Sequence, residues 1–186
     1  MSSPGEQFSS ILDGAGMMPL VHQPHWYAIR TRSRHEKIAS EQLRQQGIET
    51  FLPLVKRTHK WSDRVKEVEL PLFAGYSFVR VVLCSPDRVR VLRAQGVAGF
   101  VGTHGSGTPI PETQIEDIQK LLASKVPFED CPALAVGQRV RIRGGSLDGV
   151  EGILAARNGD QSLMISIEPI QRSLCIRVQG YGVEAV

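Results

Sequence analysis

The sequence predicts an α+β chain of two unlike units joined by a short connector. Three observations carry this expectation. Strand-like and helix-like periods alternate from residue 26 to about residue 124, an aperiodic stretch marked by two prolines follows, and short alternating strands then crowd into residues 136–186. At 186 residues there is room for a modest core in each unit.

Residues 1–24 are rich in Ser, Gly, Pro and Gln and carry no Lys or Arg and no apolar h-region. They read as a mobile tail rather than a secretory signal. WYAIRT at 26–31, aromatic and β-branched, is the first strand. Ser33 and Glu36 have capping-box spacing, in which the hydroxyl accepts from the amide three residues on and the carboxylate reaches back. The helix they open runs to about Gln46 and is expected to bury Ile38, Ala39, Gln42 and Leu43, with Gly47 supplying the left-handed stop. Residues 48–55 make the second strand. Residues 56–69 form a polar, basic hairpin with WSDR at its tip, and residues 72–83 make the third strand. Ser85-Pro86-Asp87 starts a second helix with a capping hydroxyl, a proline at the first position and an acid in the first turn. Residues 97–101 are a fourth strand, 102–107 a glycine-rich turn, and Pro111-Glu112 opens a third helix with Ile115, Ile118, Leu121 and Leu122 on one face. This order, β-α-β-β-α-β-α, is the ferredoxin-like arrangement of an antiparallel sheet carrying helices, over residues 25–124.

KVPFEDCPALA at 125–135 reads as a linker. Beyond it, QRVRIR at 138–143 alternates strictly, with Val140 and Ile142 inward and arginines outward. Residues 150–157, 162–167, 173–178 and 181–184 repeat the pattern, and Asn158-Gly159 is a hairpin turn. Five short strands in so small a unit predict a closed SH3-like barrel over 136–186. Its clean alternation argues for a permanent barrel.

Composition narrows the function. The net charge is only +3, but 14 of the 22 Lys and Arg, against 7 of the 19 Asp and Glu, lie between Trp26 and Arg93. A basic block on an otherwise acidic chain fits either a solvated face or contact with a polyanion such as nucleic acid. Three scattered cysteines without a CxxC argue against a disulfide framework or a zinc site, and fit the cytoplasm. No apolar run approaches the ~18 residues that span a bilayer. The five histidines lack metal-ligand spacing, and GTHGSG at 102–107 lacks the Gly-Lys-Ser/Thr ending of a phosphate loop. No enzyme, catalytic residue, cofactor or metal is therefore expected. LPLFAGYSFVR at 70–80 is unusual: Phe73 and Tyr76 flank a glycine where a strand starts. The rings either pack inward or wait for a partner.

The second unit, with Gly144, Gly145, Leu147, Gly149 and Gly152 in the loop after its first strand, resembles a KOW motif. The first resembles the NusG N-terminal domain: Trp26-Tyr27, Glu36-Lys37, Gly47-Ile48-Glu49, Phe51-Leu52-Pro53, Pro71-Leu72-Phe73-Ala74-Gly75-Tyr76 and Gly96-Val97 stand in its order. Both domains together make the likeness specific to NusG-like transcription factors. The 33–37 and 61–67 segments are similar to specialised paralogues of the UpxY and RfaH kind. Two positions depart from the pattern, Ala74 where the family usually has Pro and Leu147 where it usually has Phe.

The resemblance implies a monomeric, membrane-free elongation factor that suppresses pausing or termination, with operon-specific antitermination as the leading form. It would dock on RNA polymerase, on the clamp helices of the largest subunit, through Phe73, Ala74, Gly75, Tyr76 and Trp26, with Arg88 toward the opposite side of the cleft. Lys56, Arg57, Lys60, Trp61, Arg64 and Lys66 would lie near DNA, including the non-template strand, where cations meet phosphates and an indole can stack on a base. Two alternatives stand beside it: a general NusG-type factor whose KOW loop recruits Rho, or NusE and the ribosome, and a ribosome-associated KOW protein that binds RNA.

Overall fold

The computed structural model describes residues 23–60, 65–132, 137–157 and 160–186. The expected tail over 1–22, the WSDR tip and the Asn158-Gly159 turn lie outside the described residues.

The first domain is built on β1 (His25–Thr31), the central strand of a sheet ordered β2-β5-β1-β6, with β2 at Glu49–Phe51, β5 at Tyr76–Val81 and β6 at Val97–Phe100. A short β7 (Pro109–Ile110) also pairs with β1. All pairings are antiparallel, as the ferredoxin-like expectation requires. Because β1 is covered on both sides, Trp26, Tyr27, Ala28 and Ile29 are all buried. Tyr27, Ile29, Val79 and Val81 face α1 (Glu36–Gln45) and α2 (Pro86–Arg93), where they meet Leu43 and Val91. Trp26, Ala28 and Phe78 face the other way, against Ile115, Ile118 and Leu121 of α3 (Glu112–Ser124).

Local signals fare differently at the two early helices. Ser85 caps α2 as expected, its hydroxyl accepting from Asp87 N at 3.1 Å. The capping box at α1 does not form. His35 is the N-cap, Ser33 makes no cap bond, and the Glu36 carboxylate leaves its own helix altogether. The buried stripe of α1 is Glu36, Ala39, Ser40 and Leu43, while Ile38 is exposed.

The polar 56–69 stretch is a hairpin, as the sequence leads one to expect. Its arms are β3 (Leu54–Lys60) and β4 (Val65–Pro71), a two-stranded ribbon apart from the main sheet.

The second domain contains all five expected strands, β9 (Gln138–Arg143), β10 (Glu151–Arg157), β11 (Asp160–Ile167), β12 (Arg172–Arg177) and β13 (Gly182–Ala185). A sixth, β8 (Phe128–Pro132), comes from the stretch read as linker and pairs with β12, giving the order β13-β9-β10-β11-β12-β8. Pro132 is tolerated because β8 is an edge strand. Cys175 takes part in a disulfide, against the sequence expectation.

The two domains share one apolar core. Ile115, Ile118 and Leu121 of α3 cluster with Val140, Ile142, Leu147, Leu163 and Ile165 of the second domain.

Candidate functional site

The structure separates the residues expected at a partner surface. Phe73 is only 4% exposed, and its ring meets Phe78 edge-on at 6.0 Å between centroids. Phe78 in turn stacks on Phe51. Trp26 is likewise buried. For these two rings the inward reading is correct, because the α3 side of the sheet needs large apolar groups to fill it. Tyr76 is half-buried, and Ala74 is exposed at the apex between them.

The turn 73–76 is closed by Tyr76 N donating to Phe73 O at 3.1 Å. Gly75 at its centre has φ +82°, a conformation that glycine adopts without strain. Its carbonyl accepts from Thr31 N at 2.8 Å, and its N–H donates to Glu36 Oε1 at 2.7 Å. The turn is thus tied both to the end of β1 and to the start of α1.

Beside it lies a hollow of about 500 Å³. Its lining has an apolar part, the floor (Leu70, Pro71, Leu72 and Ala74), the polar Ser33, Glu36 and Glu69, and a cationic part, the rim (Arg34, Lys37 and Arg57). These three cations are exposed and have no ion-pair partner among the described residues. Asp130 and Arg172 of the second domain also reach the rim, paired with each other at 3.1 Å. Arg34 and Lys37 were not singled out from the sequence. Glu36 was noted only as a helix opener, although it falls with Ala39, Ser40 and Leu43 on one helical stripe, where a carboxylate is out of place.

The ribbon carries the remaining basic residues. Lys56 pairs loosely with Glu67 at 3.6 Å, both about two-thirds exposed, and Arg57 faces the hollow. The side chains of Lys60 and Lys66, and all of Trp61 and Arg64, lie outside the described residues. Arg88 turns inward: Nη1 and Nη2 donate to the carbonyls of Ser106 and Gly105 at 3.1 Å each, and the guanidinium sits 5.2 Å from the Phe100 ring centre. It holds the 102–107 loop and is not a free cation.

In the KOW loop, Gly144, Gly145 and Gly149 all adopt positive φ. Leu147 is fully buried and packs against α3. Gly152 meets a different demand, since a Cβ there would lie 2.4 Å from Met164 O. The three outward arginines of β9 share two carboxylates within the domain. Arg141 Nε donates to Glu151 at 2.9 Å, Arg139 stands 3.9 Å from the same carboxylate, and Arg143 Nε donates to Glu184 at 2.6 Å.

A second cavity, of about 650 Å³, opens between α3 and strands β10 and β11. At its edge Asp117 Oδ2 accepts from Glu151 N at 3.4 Å, joining the domains. Burial, opposed by this bond and by Lys120, pushes the Asp117 carboxyl up to about 6. No group of His, Cys, Asp or Glu among the described residues could hold a metal ion, and no helix among them is long and apolar enough to cross a membrane.

Comparison with known proteins points one way. The chain is 27% identical over 173 residues to the transcription termination/antitermination protein NusG of Lactococcus lactis, spanning 87% of this chain and 92% of that protein. It is 25% identical over 177 residues to the NusG of Staphylococcus carnosus, spanning 88% and 97%. A solved structure describing domain interaction in Thermotoga maritima NusG aligns at 21% identity with a TM-score of 0.48, over 89% of this chain and 99% of that one. The profile described as transcription termination factor NusG matches residues 24–119, more than half of the chain. The chain belongs to the NusG family of transcription factors.

Proposed function

We propose that the protein is an elongation factor that docks on RNA polymerase through the hollow beside the 73–76 turn and suppresses pausing or termination on a restricted set of operons. The observation that carries this reading is the hollow itself, an apolar floor beside three cations without an ion-pair partner among the described residues, with Glu36 and Glu69 also in the lining, at the segment where the family resemblance puts the clamp-helix contact. Such a surface suits an amphipathic helix that presents an apolar side chain flanked by carboxylates. The contact is assigned to Ala74, the floor leucines and the accessible part of Tyr76; Phe73 and Trp26 support it from beneath. Lys56 and Arg57 of the ribbon, with Lys60, Trp61, Arg64 and Lys66 of the same sequence segment, are assigned to DNA in the cleft, including the displaced non-template strand. Bridging both sides of a cleft shifts polymerase toward its closed, non-paused state by the factor's preference for that state, and no covalent chemistry is needed.

Two observations weigh on the alternatives. Leu147 is buried against α3, so the KOW loop does not present its apolar residue to Rho or NusE while the domains are packed. The internal pairing of Arg139, Arg141 and Arg143 leaves little free positive charge on β9 for folded RNA.

The test is capture of core RNA polymerase by the full chain and by Ala74→Glu, which places a carboxylate in the hollow, followed by transcription through a terminator. Loss of capture and of read-through in the variant supports the reading, and undiminished capture refutes it. Polymerase occupancy across a genome separates operon-restricted from general action.

A further inference from the structure

Glu36 is 5% exposed, in the first turn of α1, and its carboxylate reaches across to an amide 39 residues on. A buried carboxylate is costly unless it is hydrogen-bonded, and a bond from a backbone N–H to an ionised acceptor is among the stronger kinds. Here that bond is made to Gly75 N, not to Ser33 or to any cation. The turn it reaches is also held by Tyr76 N donating to Phe73 O and by Thr31 N donating to Gly75 O, and the Glu36 bond adds the tie to α1. Gly75 has the widest conformational choice of any residue, and Ala74 is exposed. Arg34 and Lys37, on the rim of the hollow, flank Glu36 in the chain, while Ala74, on its floor, adjoins Gly75. This hydrogen bond ties the Arg34 and Lys37 side of the rim to the floor, beside the β3–β4 pairing that carries Arg57.

We propose that Glu36 is a positioning residue for docking: by accepting from Gly75 N it sets the 73–76 turn and the spacing between the cationic rim and the apolar floor. This role rests on the docking reading above. Glu36 lines the hollow but is only 5% exposed, and it acts through the backbone it holds.

The test uses the full chain as Glu36→Ala, Glu36→Gln and Ala74→Glu, with two readouts: amide hydrogen exchange of the free protein and affinity for core RNA polymerase. In Glu36→Ala the Gly75 amide loses its acceptor. Its exchange is expected to quicken tenfold or more while the amides of β1 and β5 stay protected, and polymerase affinity is expected to fall about tenfold. Glu36→Gln, whose amide oxygen can still accept from Gly75, should recover most of both. Unchanged exchange at Gly75 in Glu36→Ala overturns the proposal, as does exchange that quickens evenly across the sheet, which would mark a general structural role. If Ala74→Glu loses polymerase and Glu36→Ala binds within twofold of the parent, the positioning role alone falls. If Ala74→Glu binds like the parent, the docking reading falls and takes the positioning role with it.

Discussion

Replacing Asp117 by Asn should abolish a pH dependence of stability that is built into the contact between the domains. Asp117 is 6% exposed, and burial is the main reason that its carboxyl titrates near 6 instead of 3.8. The Glu151 N–H and the Lys120 ammonium pull the other way, while the Glu151 and Glu116 carboxylates add to the rise. The folded chain therefore holds this proton more tightly than the unfolded chain does. Stability from this group is fully present below about pH 4 and is lost as pH rises through about 6. A rise of this size corresponds to a ceiling of about 3 kcal/mol, and residual solvent at the cavity edge lowers the expected effect to about 1–2 kcal/mol. Asn keeps an oxygen for Glu151 N and carries no charge. Because about half of the loss already occurs below pH 5, urea denaturation of both full chains at pH 5 and pH 8 should show the parent losing about 0.5–1 kcal/mol relative to Asp117→Asn over that interval. Parallel pH profiles, or a variant less stable than the parent at pH 8, would refute the reasoning.

Other consequences are more local. Leu147→Ala empties a fully buried position against α3 and should cost about 2–5 kcal/mol in urea denaturation; an unchanged midpoint would mean that the loop does not pack there. Gly152→Ala drives a Cβ against the Met164 carbonyl, which neither strand can yield cheaply, and should lower stability by about 2–3 kcal/mol, read by the same assay. Ser85→Ala removes the α2 cap and should cost about 1 kcal/mol, with amide exchange quickening first at Asp87.

What could be read from the chain depended on whether the responsible force was local. The strand β9 announces itself because one face is buried, so Val140 and Ile142 alternate with exposed or half-buried residues. The Ser85 cap is legible for a similar reason, since donor and acceptor are two residues apart. The β3–β4 hairpin was legible but the extent of its strands was not, because it stands apart from the main sheet: LVKRTHK pairs with VKEVELP through the backbone, and the side chains of Lys56, Arg57 and Thr58 are all exposed. β8 hides behind its prolines, which an edge strand accepts and a central one would not.

At the site, the segment 70–76 was correctly singled out as unusual, but the reason was misplaced. Phe73 is there to fill the space over Phe78, and the exposed apex is the small residue beside it. The capping-box spacing at 33–36 was a real pattern with another use, because the Glu36 carboxylate answers to Gly75, a neighbour created only by folding. The packing of Leu147 on α3 is equally invisible to local pattern. It depends on how the two domains meet.

The most direct measurement is site-specific photocrosslinking of the full chain to core RNA polymerase, with the photoreactive side chain placed in turn at Ala74 and at Val183. Ala74 lies in the hollow, whereas Val183 is exposed on the outer strand β13. Crosslinking to the largest polymerase subunit from position 74 and none from position 183 is the predicted result. Crosslinks from position 183 with none from position 74 would contradict the account.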